Sequence, residues 1–83
     1  MEETRVAILG IIAEDNTSAE QLNALLHDYS RFIVGRFGIP YRERKINIIC
    51  VVVDAPQDTI STLSGKIGKL SGVNCKVTYS SIQ

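Results

Sequence analysis

Val6-Ala7-Ile8-Leu9-Gly10-Ile11-Ile12-Ala13 and Ile46-Asn47-Ile48-Ile49-Cys50-Val51-Val52-Val53 are apolar at nearly every position. A strand sends successive side chains to opposite faces, so a sheet with one wet face alternates polar and apolar residues. In the first stretch Val6, Ile8 and Ile12 share one face and Ala7, Leu9, Ile11 and Ala13 the other. In the second, Ile46, Ile48, Cys50 and Val52 oppose Ile49, Val51 and Val53. Both strands are expected at the centre of a sheet, with both faces out of water. A chain of 83 residues can lay its own helices on one face and has little left to cover the second. A partner subunit is the expected cover.

The flanking segments supply the other elements. Glu14-Asp15-Asn16 reads as a polar loop, and Thr17-Ser18-Ala19-Glu20 as a capping box opening a helix, with Leu22, Leu25, Leu26 and Tyr29 as its buried stripe. Arg31 to Phe37 is β-branched and aromatic, interrupted by Gly35, and carries two arginines, as a partly wet edge strand does. Gly38 to Lys45 holds turn residues and charges and is predicted to form the hairpin connection to the Ile46–Val53 strand. Asp54 is the expected N-cap of a second helix with Pro56 in its first turn. Its stripe is Ile60, Leu63, Ile67 and Leu70, and Gly72 is placed for a left-handed stop. Gly65 and Gly68, costly inside a helix, are read as admitting another backbone at close range. Asn74 to Ser80 alternates, with Cys75, Val77 and Tyr79 on the dry side.

The order strand, helix, strand, strand, helix, strand, with crossovers of the usual right hand, gives an α+β fold: the ferredoxin-like βαββαβ sandwich, an antiparallel sheet of spatial order 4-1-3-2. That topology puts the first and third strands in the centre, and those are the two that are apolar on both faces. The whole of residues 1–83 is expected to form one domain.

Composition narrows the function classes. Nine basic and nine acidic residues cancel, so no sustained positive field is available for phosphates, and DNA binding by the chain alone is not expected. No apolar run approaches the ~18 residues of a membrane span, and Met1-Glu2-Glu3 is acidic where a secretory signal is basic. A cytoplasmic protein that does not engage membranes is expected. Cys50 and Cys75 are separated by the whole first strand in the 4-1-3-2 order, about two strand spacings or ~9.6 Å. That exceeds the ~7 Å limit between Cα atoms of a disulfide.

The residues offer no catalytic constellation, metal site or cofactor motif, and the chain is read as a non-enzyme. Iron–sulfur clusters need about four thiolates, and only two cysteines are present. An RNA-binding sheet needs aromatics on its central strands, which carry none. His27 borders the apolar stripe of the first helix and reads as a surface histidine. Ser64-Gly65-Lys66-Ile67-Gly68-Lys69 lies inside a helix, where it cannot cradle phosphate as a loop does. Gly35-Arg36-Phe37-Gly38-Ile39-Pro40-Tyr41-Arg42-Glu43 concentrates charge and an aromatic hydroxyl, and Arg36 and Tyr41 are its candidate binding residues. An anionic effector, a subunit interface and an ordinary charged hairpin are the alternatives for this patch.

That same run, with Val51-Val52-Val53-Asp54-Ala55-Pro56-Gln57-Asp58 and Leu63 to Val73, resembles the iron-only hydrogenase system regulators, and the resemblance covers nearly the whole chain. The family is related to ACT-type regulatory domains and to the C-terminal domain of the nickel-responsive repressor. It implies an ACT-like, oligomeric regulator, a dimer or tetramer, of transcription or of hydrogenase assembly. The histidine set of the nickel repressor is missing, and so is its DNA-binding ribbon, so a transcriptional role would need a partner protein or a mode the sequence does not reveal. ACT-type domains bind small molecules near the first strand–helix loop, which implies Gly10, Glu14, Asp15 and Asn16 as candidate ligand residues. The leading expectation is a regulator that senses a small-molecule effector or docks a protein partner. Its alternative is a structural or chaperone-like interaction protein with no small ligand.

Overall fold

A computed structural model describes residues 3–14 and 18–82. Its elements are β1 (Arg5–Glu14), α1 (Ala19–Asp28), β2 (Ile33–Tyr41), β3 (Ile46–Ala55), α2 (Gln57–Gly68) and β4 (Val73–Tyr79). The strands form one antiparallel sheet in the order β2-β3-β1-β4. This is the expected 4-1-3-2 arrangement read from the other edge, and the fold is the ferredoxin-like α+β sandwich.

The period-two reading of the central strands holds residue by residue. Ala7, Leu9, Ile11 and Ala13 of β1 and Val51, Val53 and Ala55 of β3 are buried under the helices. There all of these but Ala13 meet Leu22 and Leu26 of α1 and Ile60, Leu63 and Ile67 of α2 in one apolar cluster. Leu25, Tyr29, Leu70, Cys75, Val77 and Tyr79 close its margins. Gly72 takes the left-handed conformation after α2, with φ 72°.

Several local expectations change. The hairpin is shorter than predicted: β2 runs through Gly38, Ile39, Pro40 and Tyr41, and a single 3-10 turn over Arg42–Arg44 with Lys45 in the left-handed region makes the connection. Pro40 is tolerated in β2 because this is an edge strand, where one missing ladder donor costs little. The strand starts later than Arg31, since Ser30–Phe32 forms a 3-10 turn, and Gly35 marks a register shift between Ile33 and Gly35. Asp54 does not cap α2. It stays in β3 opposite Val6, and Pro56 occupies the cap position, its carbonyl accepting from Thr59 and Ile60. A Cβ at Gly65 or Gly68 would meet nothing within 4 Å, so among the described residues no backbone outside α2 packs against either glycine. Thr17, the expected cap of α1, lies outside the described residues. Ser18 stands at the cap with φ 55°, and its hydroxyl donates to the Ser71 carbonyl at 2.9 Å.

Candidate functional site

The face of the sheet away from the helices carries Val6, Ile8 and Ile12 from β1, Ile48 from β3, and Phe37, Ile39 and Tyr41 from β2. These side chains are exposed from 36% at Ile48 to 59% at Phe37. Cys50 and Val52 sit among them, Cys50 between Gly10 on one side and Phe37 on the other. The β4 column is different: Asn74, Lys76 and Thr78 pair with Ile12, Gly10 and Ile8 and give the face one polar border. The apolar surface therefore spans three strands, with β3 as its middle column.

A second feature lies on the helix side, where α1 leaves the outer edge of the sheet uncovered. A groove of about 360 Å³ runs between α1 and β2. Ala13, Leu22 and Ile49 supply apolar lining, and Gly38 and Pro40 form the wall on β2. Glu14, Asn23 and Asn47 supply the polar groups. Asn47 shares the helix-side parity of Ile49 and Val51, so it turns its carboxamide toward the groove instead of the open face. A shallower depression of about 400 Å³ continues along the same edge past Asn23 to His27, Ile33 and Arg36. Arg36 Nη2 donates to Asn23 Oδ1 at 3.5 Å, and this contact stands between the two.

The sequence-designated residues separate accordingly. Glu14 lines the groove. Asp15 and Asn16 lie outside the described residues. Gly10 is on the open face at mid-strand, away from the loop that suggested it. Arg36 pairs with Val51 and belongs to the helix side, whereas Tyr41 pairs with Ile46 and belongs to the open face. Five residues of extended strand put these two roughly 17 Å apart, so they do not form one patch. Asn23 and Asn47 were not singled out from the sequence. The available signal was Asn47 itself, the one polar residue in the apolar run from Ile46 to Val53.

Among the described residues no polar side chain is fully buried, and no group of three or more His, Cys, Asp or Glu could hold a metal ion. His27 is exposed at the end of α1. The cysteines are free and lie on opposite sheet faces, Cys50 with Gly10 and Cys75 beside Ile11 on the core side. Burial pushes the Cys75 thiol above its ordinary pKa. Among the described residues, no helix is long and apolar enough to cross a membrane.

Residues 5–77 match a family model described as "TM1266-like: Iron-only hydrogenase system regulator, putative". The structure of the uncharacterized protein TM1266 from Thermotoga maritima is similar at a TM-score of 0.90 and 44% identity, over 93% of this chain and 98% of that one. A formyltetrahydrofolate deformylase from Pseudomonas putida KT2440 is similar at a TM-score of 0.64 and 14% identity, over 88% of this chain but 28% of the deformylase. This second likeness is one of fold alone. No curated protein matches the chain.

Proposed function

This chain belongs to the TM1266-like family, and we propose that it is a non-enzymatic regulatory domain of the iron-only hydrogenase system, working as a homo-oligomer that senses a small ligand. The observation that carries the reading is the open sheet face. Its seven exposed apolar side chains present on the order of 600 Å², at the upper end of what a monomer leaves to water. Two such faces together reach roughly 1,200 Å², the lower bound of a stable interface. A second copy supplies an apolar surface of matching extent by symmetry. Pairing the sheets edge to edge would leave this face wet, so the copies meet face to face, as a dimer or as a unit of a tetramer.

The groove between α1 and β2 is the effector site of this reading. Its size suits a small molecule, its lining suits an apolar body, and Asn23, Asn47 and Glu14 provide donors and acceptors that orient a polar group. The strand that walls the groove, β2, also carries Phe37, Ile39 and Tyr41 to the open face. A ligand that shifts β2 thereby alters the assembly surface, which gives effector binding a physical route to an output. The formal charge of zero leaves transcriptional or assembly control to a protein partner.

Thermal denaturation against a panel of small metabolites tests the sensing role. A sensor gains stability with ligand concentration by mass action, and substitution of Asn47→Ala removes the gain. Native mass analysis of protein from its own source identifies a retained molecule. An assembly that holds together and responds to no ligand would favour a structural or chaperone-like interaction protein.

A further inference from the structure

Gly10 has no explanation inside its own chain. It sits in the middle of a central strand, where glycine forfeits both packing and strand propensity. Among the described residues Gly72 is the glycine with positive φ, so Gly10 is not there for its backbone conformation. A Cβ built on it would meet one atom within 4 Å, the Lys76 carbonyl oxygen at 3.9 Å, which is ordinary contact. The open face therefore has a shallow socket bounded by Ile8, Ile12, Cys50 and Lys76. Gly35 of β2 is on the same face, opposite Val52, and a Cβ there would meet nothing within 4 Å.

We propose that Gly10 is a socket for Phe37 of a second copy, in a two-fold face-to-face pairing whose axis runs along β3 over Cys50. The inference rests on the assembly proposed above and specifies its geometry. A two-fold interface lays the same patch on itself, so the axis must map the apolar columns β2, β3 and β1 onto one another and leave the polar β4 column outside. An axis along β3 does this by setting β2 over the partner's β1. In that arrangement the β2 column Gly35, Phe37, Ile39 faces the β1 column Ile8, Gly10, Ile12, following the register through Val52, Cys50 and Ile48. The most exposed of the seven apolar side chains meets the missing one, and the other glycine meets isoleucine. The alternative axis, across the strands, sets β1 on β1 and β2 on β2, placing Gly10 over Gly10 and Phe37 over Phe37, a void beside a collision. Aligned sheets cross at about 30°, and Cys50, in the middle of the β3 column, is where that rotation displaces the rows least.

Sedimentation equilibrium of the wild type, Gly10→Val, Phe37→Ala and the double variant tests the fit, with circular dichroism reporting the folded fraction. Valine at position 10 has open space in the protomer and raises strand propensity, so the chain stays folded. Each dimer holds two sockets, and overpacking both weakens association at least about thirtyfold. Phe37→Ala weakens it as well, and combining the two recovers association relative to Gly10→Val alone, because alanine vacates the space that valine fills. If wild type and Gly10→Val associate equally, the socket is wrong while the assembly stands. Loss in Gly10→Val with no recovery in the double variant also overturns Phe37 as the occupant. A monomeric wild type removes the assembly reading and the socket with it. Should Gly10→Val prove unfolded, Gly10→Ala adds one methyl group to the same socket and is read the same way.

Discussion

The two faces of the sheet use nearly the same residue types for opposite ends. On the helix side Leu9, Ile11, Val51 and Val53 have essentially no contact with solvent. On the other side Ile8 and Ile12, the immediate neighbours of Leu9 and Ile11, stand in water in the protomer together with Ile48. Hydropathy alone cannot tell the two sets apart. The difference lies in cover: among the described residues α1 and α2 lie on one face and no element lies on the other. In the proposed assembly, these open apolar residues are the surface that a second copy completes.

The largest effect should come from the covered face. Leu9→Ala removes a fully buried side chain and should lower unfolding free energy by about 2–5 kcal/mol, measured by urea denaturation. Ile8→Asp, one residue away, should leave the protomer folded but weaken self-association by about a hundredfold or more, seen by analytical ultracentrifugation, because it buries an unpaired charge against the partner. Equal effects of the two on protomer stability would break the distinction between faces.

The sheet order and the two-sided strands were legible in sequence because side-chain parity is a strict geometric rule. What was not legible depended on context. Gly38 and Pro40 are turn formers by propensity, yet an edge strand tolerates both, so β2 extends through them. Asp54 is a good cap by type, but pairing with Val6 holds it in β3. Arg36 and Tyr41 are close in sequence and fall on opposite faces, since an odd separation in an extended strand reverses parity. The groove was half legible: Glu14 was named, while Asn23 and Asn47 come together from different elements through tertiary packing.

Smaller effects sharpen the comparison at its margins. Arg36→Ala loses an exposed 3.5 Å contact to Asn23 and should change the melting temperature little, with stability within about 0.5 kcal/mol. A clear drop in oligomeric mass would instead assign Arg36 to the interface. Fluorescence anisotropy with duplex DNA should show no submicromolar binding by the isolated chain, whose formal charge is zero. The smallest expected effect is alkaline. Because burial raises the Cys75 pKa, the folded state keeps a proton that the unfolded state releases. That contribution is intact below the ordinary thiol pKa and declines above about pH 8.5. Cys75→Ser should flatten the decline in stability at high pH.

Multi-angle light scattering of the wild-type protein at micromolar concentration tests the central claim most directly. The account predicts a mass at least twice that of the 9.1 kDa chain, falling toward one chain in Ile8→Asp while circular dichroism stays folded. A stable wild-type monomer of 9.1 kDa would contradict it, because the open face would then be a surface that a single chain leaves in water.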